Sequence, residues 1–136
     1  MSKLVAVASV IILVAAMLAC HKDPTPNPTV VNDAIDAVNQ ELPKKVGVDV
    51  TLAKASLVND KLVRFDYESL YPSRVRVPPR ATALLRGAMM QFACGDAAAR
   101  KILDAGVTID HNVAYTDGNE LFDTRADVSV CVIYKD

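Results

Sequence analysis

The first 20 residues decide in which compartment the rest of the chain folds. Lys3 is followed by a long apolar run, Leu4 to Leu18, in which Ser9 is the polar exception. The run is short for a membrane span but has the form of the apolar core of a signal peptide, and the small residue Ala19 suits a cleavage site. We therefore expect residues 1–19 to direct the chain out of the cytoplasm.

Cys20 stands directly after this leader. The sequence Leu18-Ala19-Cys20 resembles the end of a bacterial lipoprotein signal, where the chain is cut before the cysteine and the thiol is acylated. In that class His21, instead of aspartate, favours the periplasmic face of the outer membrane, and more than one acyl chain anchors a protein stably. An ordinary secretory signal cut near Ala19 and an uncleaved anchor helix are the alternatives.

Two cysteines remain if Cys20 is acylated. In an oxidising compartment we expect them to pair as Cys94–Cys131. The bond would close a loop of about 37 residues and, on chain-entropy grounds, stabilise the fold by about 4 kcal/mol. A free, reactive thiol is the alternative.

A proline-rich segment follows the proposed lipid site. In residues 20–29, Pro24, Pro26 and Pro28 alternate with polar residues, which predicts a stiff tether of roughly 25–30 Å. Residues 30–136 then form one periplasmic domain. The chain has a net charge of −1 and no tryptophan, so neither a basic excess nor a stacking surface points to nucleic acid.

The periodicity of apolar residues predicts an α+β domain. We expect three helices, over residues 30–41, 81–94 and 97–105, a connection over residues 46–49, and four strands, over residues 51–58, 61–71, 107–115 and 120–134. The order α-β-β-α-α-β-β predicts a four-stranded antiparallel sheet with about three helices, largely on one face. Cys131 then falls on the face opposite the apolar one, which fits a bond to Cys94 only with a bulge or an edge position.

The central predicted helix is apolar on almost every side. A core stripe is expected from Ala81, Leu84, Leu85, Ala88 and Phe92. Ala83, Gly87 and Met90 fall together on another side, and such a helix needs cover on both sides. Either another helix of this chain covers them, or they form a groove for a partner's amphipathic helix. Gly87 costs about 1 kcal/mol against alanine, so a close approach is expected there.

Tyr71–Arg80 interrupts the strand pattern with three prolines and carries Arg74, Arg76 and Arg80. The segment is expected to be a surface loop with solvated arginines. Docking to acidic lipid headgroups or to an acidic partner is the functional alternative.

Catalytic patterns are missing from the sequence. The two histidines, His21 and His111, do not belong to a metal-ligand cluster, and neither a nucleophile elbow nor a glycine-rich phosphate loop is present. We therefore predict a protein that is not an enzyme and needs no metal or other cofactor. An enzyme would need a polar cleft around His111, which is otherwise expected to be a core or edge histidine.

The order of elements resembles that of a known family. A helix runs into Glu41-Leu42-Pro43, a second helix ends at Cys94, Ala105-Gly106-Val107 opens a strand, and Cys131 lies near the end. This arrangement is similar to the AspS-type pilotins, small outer-membrane lipoproteins that serve the secretins of type II secretion. The resemblance implies a lipid on Cys20 and a Cys94–Cys131 disulfide; Tyr71–Arg80 departs from the family.

The hypothesis that follows is a lipid-anchored binding or escort protein. Its expected partners are the membrane, through Cys20, and a segment of a secretin-type envelope protein, with neither nucleic acid nor a small-molecule substrate. One alternative is an inhibitor or immunity lipoprotein that inserts Tyr71–Arg80 into a periplasmic enzyme. Another is an envelope lipoprotein with a structural role.

Overall fold

Residues 25–134 are described by a computed structural model, in which they form five strands, three α-helices and a 3₁₀ helix. In chain order the elements are α1 (Pro28–Gln40), β1 (Lys44–Gly47), β2 (Val50–Asn59), β3 (Leu62–Ser69), α2 (Pro79–Gly95), α3 (Ala97–Asp104), β4 (Thr108–Ala114), β5 (Glu120–Ala126) and the 3₁₀ helix (Val128–Val132). The leader, Cys20, His21 and the first part of the tether lie outside the described residues. Among residues 25–134, none of the helices has the length and hydrophobicity to cross a bilayer.

The strands form one sheet in the order β1-β2-β3-β4-β5. The prediction of four antiparallel strands is wrong on two points. The expected connection contributes β1, which pairs with the start of β2. In addition, β3 and β4 are parallel, because α2 and α3 carry the chain back to the end of the sheet where β3 begins. The other neighbouring pairs are antiparallel, and those of β2 with β3 and of β4 with β5 are the predicted hairpins.

The core lies between one face of the sheet and the three helices. Alternate residues of β3 and β4 are buried there, among them Phe65, Tyr67, Ile109 and Val113. α1 contributes its apolar stripe, Val31, Ala34, Ile35 and Val38. The opposite face carries charged residues such as Arg64 and Glu68, as the alternation of the sequence predicts.

The chain leaves the sheet earlier than predicted at its C-terminal end. The expected strand to Tyr134 stops at Ala126, and Asp127 caps the 3₁₀ helix by accepting a hydrogen bond from Ser129 N (2.8 Å). This change of direction removes the conflict over Cys131, which is buried and bonded to Cys94 with 5.4 Å between the two Cα atoms. Neither a bulge nor an edge position is needed.

The N-terminal end of the described chain fixes where the tether enters. α1 begins at Pro28, two residues earlier than expected, with Asn27 as its N-cap. Thr25 and Pro28 lie beside Leu57 and Asp60, at the β2–β3 hairpin. The tether therefore joins the domain at the hairpin end of the sheet.

Candidate functional site

Helix α2 is the candidate partner-binding element because the described chain leaves one side of it uncovered. Its buried side consists of Leu85, Met89, Met90 and Ala93. Leu84, by contrast, is 69% exposed. Its neighbours at helical spacing are exposed or half-buried, and we call this surface the outer face of α2, defined by Arg80, Ala83, Leu84, Gly87 and Ala88.

A groove runs along the border between this face and β1. It has a volume of about 210 Å³ and is lined by Ala81, Leu84, Leu85 and Ala88 of α2 and by Gly47, Val48, Asp49 and Tyr71 opposite them. Val48 is 86% exposed. A Cβ at Gly47 would lie 3.3 Å from Leu85 Cδ2, so glycine lets β1 approach the helix this closely. The groove is open and mainly apolar.

Lys44 holds β1 in place beside the helices. Its Nζ lies 3.0 Å from Glu41 Oε2 and 3.2 Å from Asp96 Oδ2, and 5.3 Å from the centre of the Phe92 ring. The hydrogen bond to Glu41, and to a smaller extent the one to Asp96, raises the pKa of Lys44 above its ordinary value. One charged side chain thus ties the ends of α1, α2 and α3 to the strand that forms a wall of the groove.

Two of the three predicted groove residues lie at the surface. Ala83 is exposed and Gly87 is half-buried, and a Cβ at Gly87 would have no neighbour within 4 Å in the described chain. Met90 is 7% exposed and belongs to the buried side, so its expected place in an open groove is corrected. Leu84, expected in the core, is exposed instead.

This difference amounts to a rotation of the helix about its axis. Leu85, Met89 and Ala93 also follow helical spacing, so the sequence contains two possible core stripes. Met89 and Ala93 are the signal that could have identified the correct one, and with it the exposed position of Leu84. Val48 and Tyr71 were missed because they reach the groove through strand pairing that the sequence did not reveal.

The loop between β3 and α2 lies at the groove end of the sheet. Leu70 N donates to Asp49 O (3.0 Å), and the hydroxyl of Tyr71 donates to Asp49 Oδ2 (3.2 Å). Thr116 N donates to Tyr71 O (3.0 Å). The start of the loop is therefore fixed to Asp49, a residue of the groove wall, and to Thr116.

The arginines of this loop are exposed. Arg74, Arg76 and Arg80 form no ion pair within residues 25–134. Nearby, a hydrogen bond from the side chain of Ser73 holds the pKa of Asp117 below its ordinary value. Asp49 and Asp117 thus have hydrogen-bond partners in the described chain, whereas the arginines face solvent.

His111 lies in the core. It is 0% exposed, its Nδ1 lies 2.7 Å from the Tyr67 hydroxyl, and the Phe65 ring meets it edge-on at 5.7 Å. Nε2 has no hydrogen-bond partner in the described chain. Burial lowers the pKa of His111 to about 4, so the imidazole is neutral near pH 7. The polar cleft that a His111-based enzyme would need is not found around this side chain.

A buried carboxylate on the opposite face of the sheet was not singled out by the sequence. Asp110 is 2% exposed and lies between Arg64 (Nη2 to Oδ2, 3.3 Å) and Arg125 (Nε to Oδ1, 3.8 Å). The three residues face one another across β3, β4 and β5, so only the register of the strands brings them together. In residues 25–134, no group of three or more His, Cys, Asp and Glu side chains could hold a metal ion.

Comparisons with known proteins identify the fold. No family model and no curated protein matches the chain. The pilotin EpsS of the Vibrio vulnificus type 2 secretion system matches with a TM-score of 0.57 and 19% identity, covering 76% of this chain and 88% of that one. The type II secretion pilotin AspS of Vibrio cholerae matches with a TM-score of 0.59 and 16% identity, covering 76% and 90%.

A third solved structure shares the fold without being described as a pilotin. A Pseudomonas aeruginosa protein described as secreted matches with a TM-score of 0.56 and 12% identity, again covering 76% of this chain and 90% of that one. At these identities the likeness shows the fold alone. The predicted architectural resemblance to AspS-type pilotins is confirmed.

Proposed function

We propose that this protein is a pilotin-like, lipid-anchored binding protein of the bacterial cell envelope. It captures an amphipathic helix of a secretin-type partner on the outer face of α2 and in the adjoining groove. The observation that carries the proposal is Leu84, a large apolar side chain left 69% exposed in the middle of an apolar helix face. The fold shared with two pilotins supports the same conclusion.

The physical basis of capture is burial of apolar surface. Fully burying a leucine side chain contributes about 1.5–3 kcal/mol, and Leu84 and Val48 both offer most of their surface. Gly87 has open space above it, so the backbone of a docked helix can approach α2 there. An amphipathic helix that places its apolar stripe between Leu84 and Val48 satisfies these conditions.

The proposed anchor and the groove lie at opposite ends of the domain. The tether enters at Thr25, beside the β2–β3 hairpin, while Val48 and Asp49 begin β2 at its other end. At about 3.3 Å per residue, the length of β2 separates the two ends by about 30 Å. With the lipid on Cys20 in the outer membrane, the groove faces the periplasm, and a captured partner is carried to the membrane.

Leu84→Asp tests this proposal, with Val58→Asp as the matched control. Val58 is 50% exposed at the hairpin end, far from α2, so both changes replace an exposed apolar side chain by a charge. The full chain is cross-linked in native envelopes and purified. We expect a secretin-type partner to be retained by the natural protein and the control and lost from Leu84→Asp. Retention by Leu84→Asp, or its unfolding in a thermal melt, contradicts the proposal.

A second candidate is an inhibitor or immunity lipoprotein that inserts the loop of Tyr71–Arg80 into a periplasmic enzyme. The exposure of Arg74 and Arg76 favours it. Replacing residues 72–78 by a glycine-serine linker keeps Tyr71 and its hydrogen bonds. Under this second function the linker abolishes binding and Leu84→Asp leaves it intact, whereas groove capture predicts that Leu84→Asp abolishes binding.

A further inference from the structure

We propose that the segment captured on the outer face of α2 is acidic, and that Arg74, Arg76 and Arg80 recognise its carboxylates. This inference rests on the proposed function and specifies the chemistry of the partner. An apolar groove alone accepts many amphipathic helices, whereas a basic rim selects among them.

The three arginines lie at the end of α2 where the groove begins. Arg80 stands three, four and seven residues before Ala83, Leu84 and Gly87 in the same helix, so it heads the outer face of α2. Arg74 and Arg76 lie in the loop that leads into this helix. The loop is bonded at its start to Asp49, through Leu70 N and the Tyr71 hydroxyl. Asp49 and Tyr71 both line the groove, so the loop that carries Arg74 and Arg76 starts at the edge of the apolar surface.

Within residues 25–134 the three arginines have no ion-pair partner, although other arginines of the domain do: Arg64 pairs with Asp110 and Arg100 with Asp104. The carboxylates beside this loop, Asp49 and Asp117, are hydrogen-bonded to Tyr71 and Ser73 and form no ion pair with the arginines. Guanidinium groups that are exposed and unpaired beside an apolar groove complement carboxylates on the polar side of a docked helix.

The position of the loop distinguishes between two acidic ligands, a protein segment and lipid headgroups. The loop lies at the groove end of the sheet, and the tether enters at Thr25, at the hairpin end. The loop therefore points away from the end that the anchor holds at the membrane. This geometry favours an acidic protein segment.

The test uses the full chain in non-ionic detergent and two synthetic peptides of about four helical turns. The peptides share one stripe of leucines and differ in their polar residues, glutamates in one and glutamines in the other. The chain is compared with two triple variants: Arg74→Gln, Arg76→Gln, Arg80→Gln, and the control Lys54→Gln, Lys61→Gln, Lys101→Gln. The control removes three exposed charges away from the groove.

We expect the glutamate peptide to bind more tightly than the glutamine peptide at low salt and to lose this advantage at high salt. The arginine variant should weaken binding of the glutamate peptide about tenfold, and the lysine variant should not. Equal binding of both peptides by the natural chain overturns the inference. If both peptides bind equally and Leu84→Asp abolishes both, the groove stands and the basic rim fails. If neither peptide binds, the proposed function fails as well.

Trypsin tests the lipid alternative directly, because Arg74 and Arg76 lie in an exposed loop. The full chain is placed in vesicles of phosphatidylcholine with or without phosphatidylglycerol. Equal cleavage in both vesicles, with protection by the glutamate peptide, supports the inference. Protection by phosphatidylglycerol alone overturns it in favour of lipid headgroups.

Discussion

His111 is a neutral histidine kept in an apolar core by one hydrogen bond, to the Tyr67 hydroxyl. Desolvation disfavours its charged form, which lowers its pKa from an ordinary value of 6.5 to about 4. The unfolded chain binds a proton as the pH falls through 6.5, while the folded chain does not until about pH 4. Protonation therefore favours the unfolded state within this window.

We predict that folding stability is complete above about pH 6.5 and falls by about 3 kcal/mol as the pH is lowered to about 4. Urea denaturation of the natural chain and of His111→Gln, across this range, measures the effect. The variant has no titrating group at this position, so its stability should change much less. Hydrogen bonds lower the pKa of Asp117 and of Asp127 below the ordinary value of 3.8, so both begin to cost stability as the pH falls toward 4. Both proteins carry these residues, so their effect cancels in the comparison. Parallel pH profiles for the two proteins would contradict the prediction.

At Gly87, one substitution should affect folding stability and partner binding in opposite directions. A Cβ at this position meets nothing within 4 Å in the described chain. Gly87→Ala should therefore stabilise the free protein by about 0.5–1 kcal/mol, through helix propensity, and weaken capture of a partner helix that approaches there. Thermal melts and a binding titration measure the two effects. A variant that is stabilised and binds normally shows that no backbone approaches Gly87.

Among the secondary-structure elements, β2 depends on α1 for part of its edge. β1 pairs with β2 only as far as Leu52. Beyond it, the Asn39 side chain accepts from Ala55 N and donates to Ala55 O, both at 2.9 Å, in the manner of a neighbouring strand. We predict that Asn39→Ala costs about 1–2 kcal/mol, since two hydrogen bonds are lost. The control Gln40→Ala, also exposed in α1, should cost less; equal unfolding midpoints in urea would count against this role.

The Cys94–Cys131 disulfide joins the end of α2 to the 3₁₀ helix. It closes a loop with a sequence separation of 37, so replacing both cysteines by alanine should lower stability by about 4 kcal/mol. Hydrogen exchange should increase most in residues 128–132, because this 3₁₀ helix is not hydrogen-bonded into the sheet. A midpoint of thermal unfolding that stays within error of the natural chain would refute the estimate.

The sequence predicted the positions of the helices and of most strands, but not the complete strand order or the parallel pair. The helix expected at residues 97–105 is α3, and Asp96 caps it with a carboxylate that accepts from Ala98 N and Ala99 N. The prediction of which side of α2 faces the core was wrong at Leu84 and Met90, because a helix that is apolar on almost every side has no distinctive periodicity. β1 was missed because four residues are too few to show alternation, and the parallel pair follows from a crossover that local patterns do not contain.

The whole molecule has two ends with different tasks under this account. One end carries the tether beside the β2–β3 hairpin, and the other carries the groove, the arginine loop and the start of α2. On the open face of the sheet between them, Asp110 forms ion pairs with Arg64 and Arg125. The α+β architecture could largely be predicted from the sequence, and the outer-membrane location stays a prediction. The site depends on how α2 is rotated against the sheet.

Photo-cross-linking from position 84 in living cells tests the central claim most directly. A photoreactive amino acid replaces Leu84 in one strain and Val58 in the other, and the cross-linked products are identified by mass spectrometry. The account predicts that position 84 is linked to an amphipathic, acidic segment of an envelope protein and that position 58 is not. Products from position 84 that contain only lipid, or the same products from both positions, would contradict it.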